Sequence, residues 1–386
     1  MKKTQLMFLW GFFPLMAFAQ LDENKQELSN PDPHTNAIFG ASVGLSGNDA
    51  IVLSGGYSLG DKNEGAFYHY TRNVQSGEWT LNQKYVHHKS KSLKEGFGSS
   101  FDFDGNQIAI GATEWRKDLT QAFAPGAVYI YRKTQEGDWI QDQLVTVDAS
   151  EKAVGQKFGE KVAVSGTHLM VQSASNQDIY VFEKGIGNGW VQSQKIKGSD
   201  YLRADGASLP DMGCSIDISG EYAFIGASQD DSNLHGGEIV PNSGAVYVFK
   251  HTGSGQWKMV QKIVQQTRVN DNKFGYNLTS FEDKLLISSL DNNKGEVHLY
   301  ERQSDGLYNF SQSFKPAKRK AFDQYGTKLA LSEDFFAVGV PGFSIDGQLN
   351  SGAVILYHKK EGSANWSEAS ILSATNPMYA ERFSTV

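Results

Sequence analysis

Apolar and polar residues alternate with a period of two in many short stretches of this chain, among them Val162-Ala163-Val164, Ile216-Asp217-Ile218 and Leu329-Ala330-Leu331. That period marks half-buried strands, and no stretch beyond residue 38 carries the 3.6-residue period of a helix. The alternating stretches end in small polar turns: Ser46-Gly47-Asn48, Asp104-Gly105-Asn106, Ser165-Gly166-Thr167, Ser219-Gly220-Glu221, Glu282-Asp283 and Ser332-Glu333-Asp334. Such residues suit tight hairpins, so a second strand is expected directly after each turn. Apolar runs such as Ile108-Ala109-Ile110-Gly111 and Phe336-Ala337-Val338-Gly339 stand there. A third strand then opens on Gly, as in Gly126-Ala127-Val128-Tyr129 and Gly244-Ala245-Val246-Tyr247, with Asp178 replacing the Gly in the third unit. A fourth opens on an aromatic at Trp79, Trp139, Trp190, Trp257, Tyr308 and Trp366.

The same order of events recurs after Phe39-Gly40, Phe97-Gly98, Phe158-Gly159, Met212-Gly213, Phe274-Gly275 and Tyr325-Gly326. One supersecondary unit of about 57 residues is therefore copied along the chain. An isolated four-stranded sheet cannot cover both of its faces, so neighbouring units must do so, and radial stacking leaves only short protected edges. The expected fold is an all-β propeller of four-stranded antiparallel blades, with six complete repeats beginning near residues 39, 97, 158, 212, 274 and 325. Arg382-Phe383-Ser384 reads as the opening of a truncated seventh unit, and residues 20–38 as an N-terminal segment offering a closing strand. The Phe of each opening is expected to wedge between blades, and the tryptophans to serve as core.

These motifs resemble the FG-GAP repeats of integrin alpha-subunit propellers and of exported bacterial proteins. The Phe-Gly openings match the first half of the repeat, and Gly111-Ala112, Gly226-Ala227 and Gly339-Val340-Pro341 match the second. The resemblance implies a ring of blades, usually seven. It also raises calcium sites in the loop after a blade's first strand. Calcium needs six to eight oxygens around one point. Only Asp102-Phe103-Asp104-Gly105-Asn106 approaches such a loop, and Gln107-Ile108 stand where a closing carboxylate belongs. No metal or cofactor is therefore expected.

A formal net charge of −7 over 386 residues, with no basic stripe, disfavours nucleic acid as a partner. Forty Gly against nine Pro describe a turn-rich globular protein, and the single Cys214 has no internal disulfide partner. Lys2 and Lys3, the apolar run Leu6 to Ala19 and the closing Ala17-Phe18-Ala19 form a secretory signal over residues 1–19. With it removed, no membrane span is expected, and the protein is placed outside the cell or in its envelope.

Length concentrates in the loops after strands two and four, which share one face, and binding usually lives on such loops. The candidate ligand-binding residues are Trp115, Asp205, Asp211, Asp230, Asp231, His235 and Glu238, set against the ordinary outcome that charged loop residues are simply solvated. No H-E-x-x-H, G-x-S-x-G or Cys/His metal spacing occurs. The leading expectation is a non-enzymatic binding or adhesion propeller, its partner an extracellular protein or glycan. The alternative is an extracellular carbohydrate-active enzyme using carboxylates near the central channel, with Asp102 or Asp217 as candidates.

Overall fold

The computed structural model describes residues 26–374, except 27, 32–36, 57–64, 88–94, 118–123, 148–155, 186, 188, 202–210, 233–238, 254, 291–293, 316–322, 346, 360–361 and 364. The signal segment 1–19 and the seventh-unit opening at Arg382-Phe383-Ser384 lie outside the described residues. Six antiparallel sheets of four strands follow one another, each in simple order from first strand to fourth. Together they form a six-bladed propeller with almost no helix: among the described residues a single 3-10 turn spans Gly198–Tyr201. No helix among them is long and apolar enough to cross a membrane.

The first strands line the hub. They are Ala37–Ser46, Phe97–Phe103, Phe158–Ser165, Met212–Ser219, Leu278–Phe281 and Leu329–Leu331, and from blade 1 to blade 6 each packs on the first strand of the next blade. The fourth strands form the rim: Trp79–Val86, Trp139–Val145, Trp190–Ile196, Trp257–Ile263, Tyr308–Phe314 and Trp366–Leu372. Between them, second strands such as Gln107–Ala112 and Tyr222–Ala227 are buried from end to end. They are covered on both faces because the apolar clusters form between blades. In one such cluster Ala109, Val128 and Ile130 of blade 2 meet Phe158, Val162 and Tyr180 of blade 3. Phe158 and Phe274 are fully buried wedges, and Trp139, Trp190, Trp257 and Trp366 are core residues.

Two local devices join the blades. At the entry to the third strand, Gly126 (φ 86°) and Gly244 (φ 84°) bridge to Phe158 and Phe274 of the next blade. A Cβ on Gly126 would lie 2.2 Å from the Phe158 carbonyl oxygen, so only glycine allows that approach.

The second device lies at the rim. In every blade the pairing of third and fourth strands shifts at one place, for example between Ile130 and Tyr131 or between Val248 and Phe249. This bulge precedes a Gln in blades 1 to 5 and re-aims its side chain toward the next blade. Gln83 thereby clasps the backbone of Trp139, its amide donating to the carbonyl at 3.1 Å while its oxygen accepts from the N–H at 2.7 Å. Gln143 does the same to Trp190, Gln194 to Trp257, Gln261 to Tyr308 and Gln312 to Trp366.

Candidate functional site

Two places after the opening residue of a blade, the third and the fifth, carry charge in four of the six blades. Blades 3 and 6 carry lysine at the third position, Lys161 and Lys328. Blades 2 and 4 carry aspartate at the fifth, Asp102 and Asp217.

Asp102 accepts from the N–H of Val164 in blade 3 at 2.6 Å and from its neighbour Phe103 at 2.9 Å. Asp217 accepts from the N–H of Ser280 in blade 5 at 2.5 Å, from the Ser280 hydroxyl at 3.0 Å and from Ile218 at 2.8 Å. Each carboxylate thus pins two blades together, and both keep partial access to solvent. Enclosure dominates their titration. Burial pushes Asp102 up to about 7, with the nearby negative charge of Asp217 adding to it. Burial likewise pushes Asp217 up to about 6, against the hydrogen bonds from Ser280. Partial desolvation also holds the Lys328 ammonium below its ordinary value, although Lys328 as a whole is exposed, and the like charge of Lys161 lowers it further. The hub thus holds two carboxyl groups, of which Asp102 senses the charge of Asp217, and two lysines, of which Lys328 senses the charge of Lys161.

Beside this ring lies a cavity of about 360 Å³, whose lining includes Ser42, Val43, Phe101, Asn277, Lys328 and Gly339. Its lining is drawn from blades 1 and 6, the two ends of the repeat array, with Phe101 of blade 2 and Asn277 of blade 5. At other junctions the counterparts of Gly339 are in tight contact, since a Cβ on Gly111 or Gly226 would lie 2.1 or 2.2 Å from the carbonyl oxygen of Gly159 or Gly275. Asp102 does not line the cavity, although its neighbour Phe101 does.

The loop residues expected to bind ligand fall differently. Trp115 is half-buried and packs on the cluster between blades 1 and 2. Asp230 and Asp231 are each 1% exposed. Asp230 accepts from the Tyr247 hydroxyl at 2.5 Å and pairs with Lys262 at 3.0 Å, while Asp231 accepts from the Asn242 N–H at 2.6 Å. These two carboxylates hold the loop from inside and present no open rim. Asp211 accepts from the Ser228 hydroxyl at 2.6 Å. Asp205, His235 and Glu238 lie outside the described residues. In the turn considered for calcium, Asp104 accepts from the N–H groups of Asn106 and Gln107 with one oxygen and from Gly166 of blade 3 with the other. Cys214 donates to the Gly275 carbonyl at 3.2 Å, and burial pushes its thiol up to about 11.

No curated protein matches the chain in sequence. Among solved structures it is similar to a periplasmic gluconolactonase of Pseudomonas aeruginosa, with 14% identity and a TM-score of 0.52 over 86% of this chain and 84% of that one. It is also similar to a proposed 6-phosphogluconolactonase of Bacteroides uniformis, with 14% identity and a TM-score of 0.55 over 85% of this chain and 84% of that one. These likenesses concern the fold. They correct the expectation that the protein is not an enzyme, because propellers of this fold include proteins named as lactonases. An FG-GAP repeat matches residues 190–249, and with six four-stranded blades in a ring the chain has the form of an FG-GAP propeller.

Proposed function

We propose that the protein is an exported carbohydrate-active hydrolase whose chemistry is centred on Asp102 and Asp217, with a small sugar lactone as its substrate class. The observation that carries this reading is the pair of hub carboxyl groups, Asp102 and Asp217, each accepting a backbone N–H from another blade and each pushed up by burial, to about 7 and about 6. Groups poised near neutrality can both give and take protons at ordinary pH, whereas an unperturbed aspartate is ionised there and has no proton to give. Perturbed titration of this kind concentrates at functional sites.

Asp102, with the higher value, is the proton donor, and Asp217, ionised first, is the base. In lactone hydrolysis Asp217 takes a proton from water as its oxygen attacks the carbonyl carbon. The ring C–O bond then breaks and Asp102 protonates the departing oxygen, giving a hydroxy acid. Lys161 and Lys328 attract the negative charge that develops on the carbonyl oxygen and on the product. The neighbouring cavity of about 360 Å³ suits a ligand of monosaccharide size. The names of the two similar propellers support the choice of a lactone.

The test is a panel of aldonolactones, sugar esters and glycosides, followed by pH-stat and reducing-end assays on the full chain. Lactone opening that Asp217→Asn abolishes while the fold persists is the expected result. Turnover unchanged in both Asp102→Asn and Asp217→Asn would remove the site.

A further inference from the structure

A second cluster of chemistry-bearing side chains lies away from the hub, between blades 3 and 4. His168 opens the second strand of blade 3 (His168–Ser173), and its partner across the sheet is Glu183 on the third strand (Asp178–Lys184). His251 closes the third strand of blade 4 (Ala245–His251) and reaches back across the interface. Its Nε2 stands 2.9 Å from Glu183 Oε1, while His168 Nδ1 lies 3.8 Å from the same oxygen. The two imidazole rings are 4.7 Å apart, and each packs on the Trp257 ring at 5.2 Å.

The repeat shows what is unusual here. The residue that closes the third strand is a fixed cation in the other five blades: Arg72, Lys133, Lys184, Arg302 and Lys359. Three of these reach back to the preceding blade. Lys133 binds Asp49 at 2.6 Å, Arg302 lies over the Tyr222 ring at 4.9 Å, and Lys359 faces Glu301 at 3.8 Å. At the junction of blades 3 and 4 that position holds His251, and a second imidazole, His168, stands opposite it. Two imidazoles and one carboxylate converge where three other junctions place a permanent positive charge. In addition, His168 Nδ1 is buried and has no hydrogen-bond partner among the described residues. A buried lone pair or N–H left unmatched is costly, which marks it as an atom awaiting a ligand.

We infer that His168, Glu183 and His251 form a site for a divalent transition metal, of which zinc is the type, clasping blade 3 to blade 4. The donor set is two imidazole nitrogens and one carboxylate oxygen, a combination suited to zinc. The three donor atoms lie within 4.8 Å of one another. Around a tetrahedral zinc, donors stand about 3.4 Å apart, so closure needs side-chain movements on the order of 1 Å. Trp257 walls one side and restricts both rings, while the partial exposure of all three side chains leaves a path for the ion and for water as fourth ligand. The metal supplies the positive charge that lysine or arginine supplies elsewhere in the ring.

The test uses the tag-free full chain and zinc chloride alone, by calorimetric titration, with cobalt chloride as a spectroscopic probe. One zinc per chain and a visible cobalt band of tetrahedral intensity are expected for the wild type. His168→Gln and His251→Lys should each weaken zinc binding by about tenfold or more, since each removes one of three ligands. His251→Lys restores the cation found at the other junctions, so circular dichroism and the melting temperature should show an intact fold that no longer takes up zinc. Absence of stoichiometric uptake by the folded wild type, or a loss of less than about tenfold in both folded variants, would overturn the inference.

Discussion

Gln26 clasps the backbone of Trp79, 53 residues away: its side-chain amide donates to the Trp79 carbonyl at 2.7 Å, and its side-chain oxygen accepts from the Trp79 N–H at 2.7 Å. This is the bond pair that the rim glutamines make at the five junctions from blade 1 to blade 6. Blade 6 cannot make it for blade 1, because Ser370 occupies the glutamine position and its hydroxyl has no partner among the described residues. The segment ahead of blade 1 thus supplies a fastening that the last repeat lacks.

The clasps should be measurable by chemical denaturation. Gln143→Ala, which leaves the half-buried backbone groups of Trp190 without partners, should cost about 1–3 kcal/mol. Gln26→Ala, at an exposed position, should cost about 1 kcal/mol. An effect near zero at both positions would mean that apolar contacts alone hold the rim.

The inter-blade glycines provide a matched pair. Gly244→Ala would place a Cβ 2.1 Å from the Phe274 carbonyl oxygen, a clash with backbone in addition to its positive φ. A loss on the order of 3 kcal/mol or more is expected from the combined clash and strain. Gly137, also at positive φ (95°) but with open space around it, should lose only about 1 kcal/mol as Ala. Thermal melting of the two variants separates close packing from backbone strain.

The raised value of Asp102 has a sign that melting curves can check. A carboxyl group lifted from its ordinary range to about 7 favours folding when protonated, and that contribution fades as pH rises through about 7. Asp102→Asn has no such dependence. Relative to wild type, the variant should therefore gain stability from about pH 5 to about pH 8, by up to roughly 3 kcal/mol. A constant difference across that range would show that Asp102 titrates normally.

If the hub carboxyls act as donor and base, kcat/KM should follow a narrow bell, rising near pH 6 and falling near pH 7. These limits belong to the coupled pair. Asp217→Asn should lower turnover by about 100-fold or more, removing the rising limb, and Asp102→Asn should remove the falling limb. A profile unchanged in shape in both variants would assign the chemistry elsewhere.

The blade grammar was legible because strand alternation, turn residues and the openings, Phe-Gly in four blades with Met212-Gly213 and Tyr325-Gly326 in the other two, are local signals repeated six times. The rim clasp left a trace too, a Gln four residues after each fourth-strand aromatic in blades 1 to 5, although its role is visible only once adjacent blades are placed together. Two residues of the expected ligand rim are placed by contacts that local sequence does not reveal. Asp230 and Asp231 look like solvated loop acids, but Lys262, Tyr247 and Asn242 arrive from elsewhere and turn them inward.

The sequence by itself determined the all-β class, the repeat and the blade strands, since each depends on residues within about 57 positions of one another. Only the tertiary structure decided which side chains act on one another across blades: Asp217 on Asp102 and Lys161 on Lys328 through their charges, and His168 and Glu183 with His251 by contact. Those groups are separated by whole repeats along the chain. Radial stacking brings them together, and the enclosure it creates gives ordinary residues unusual proton and ligand affinities.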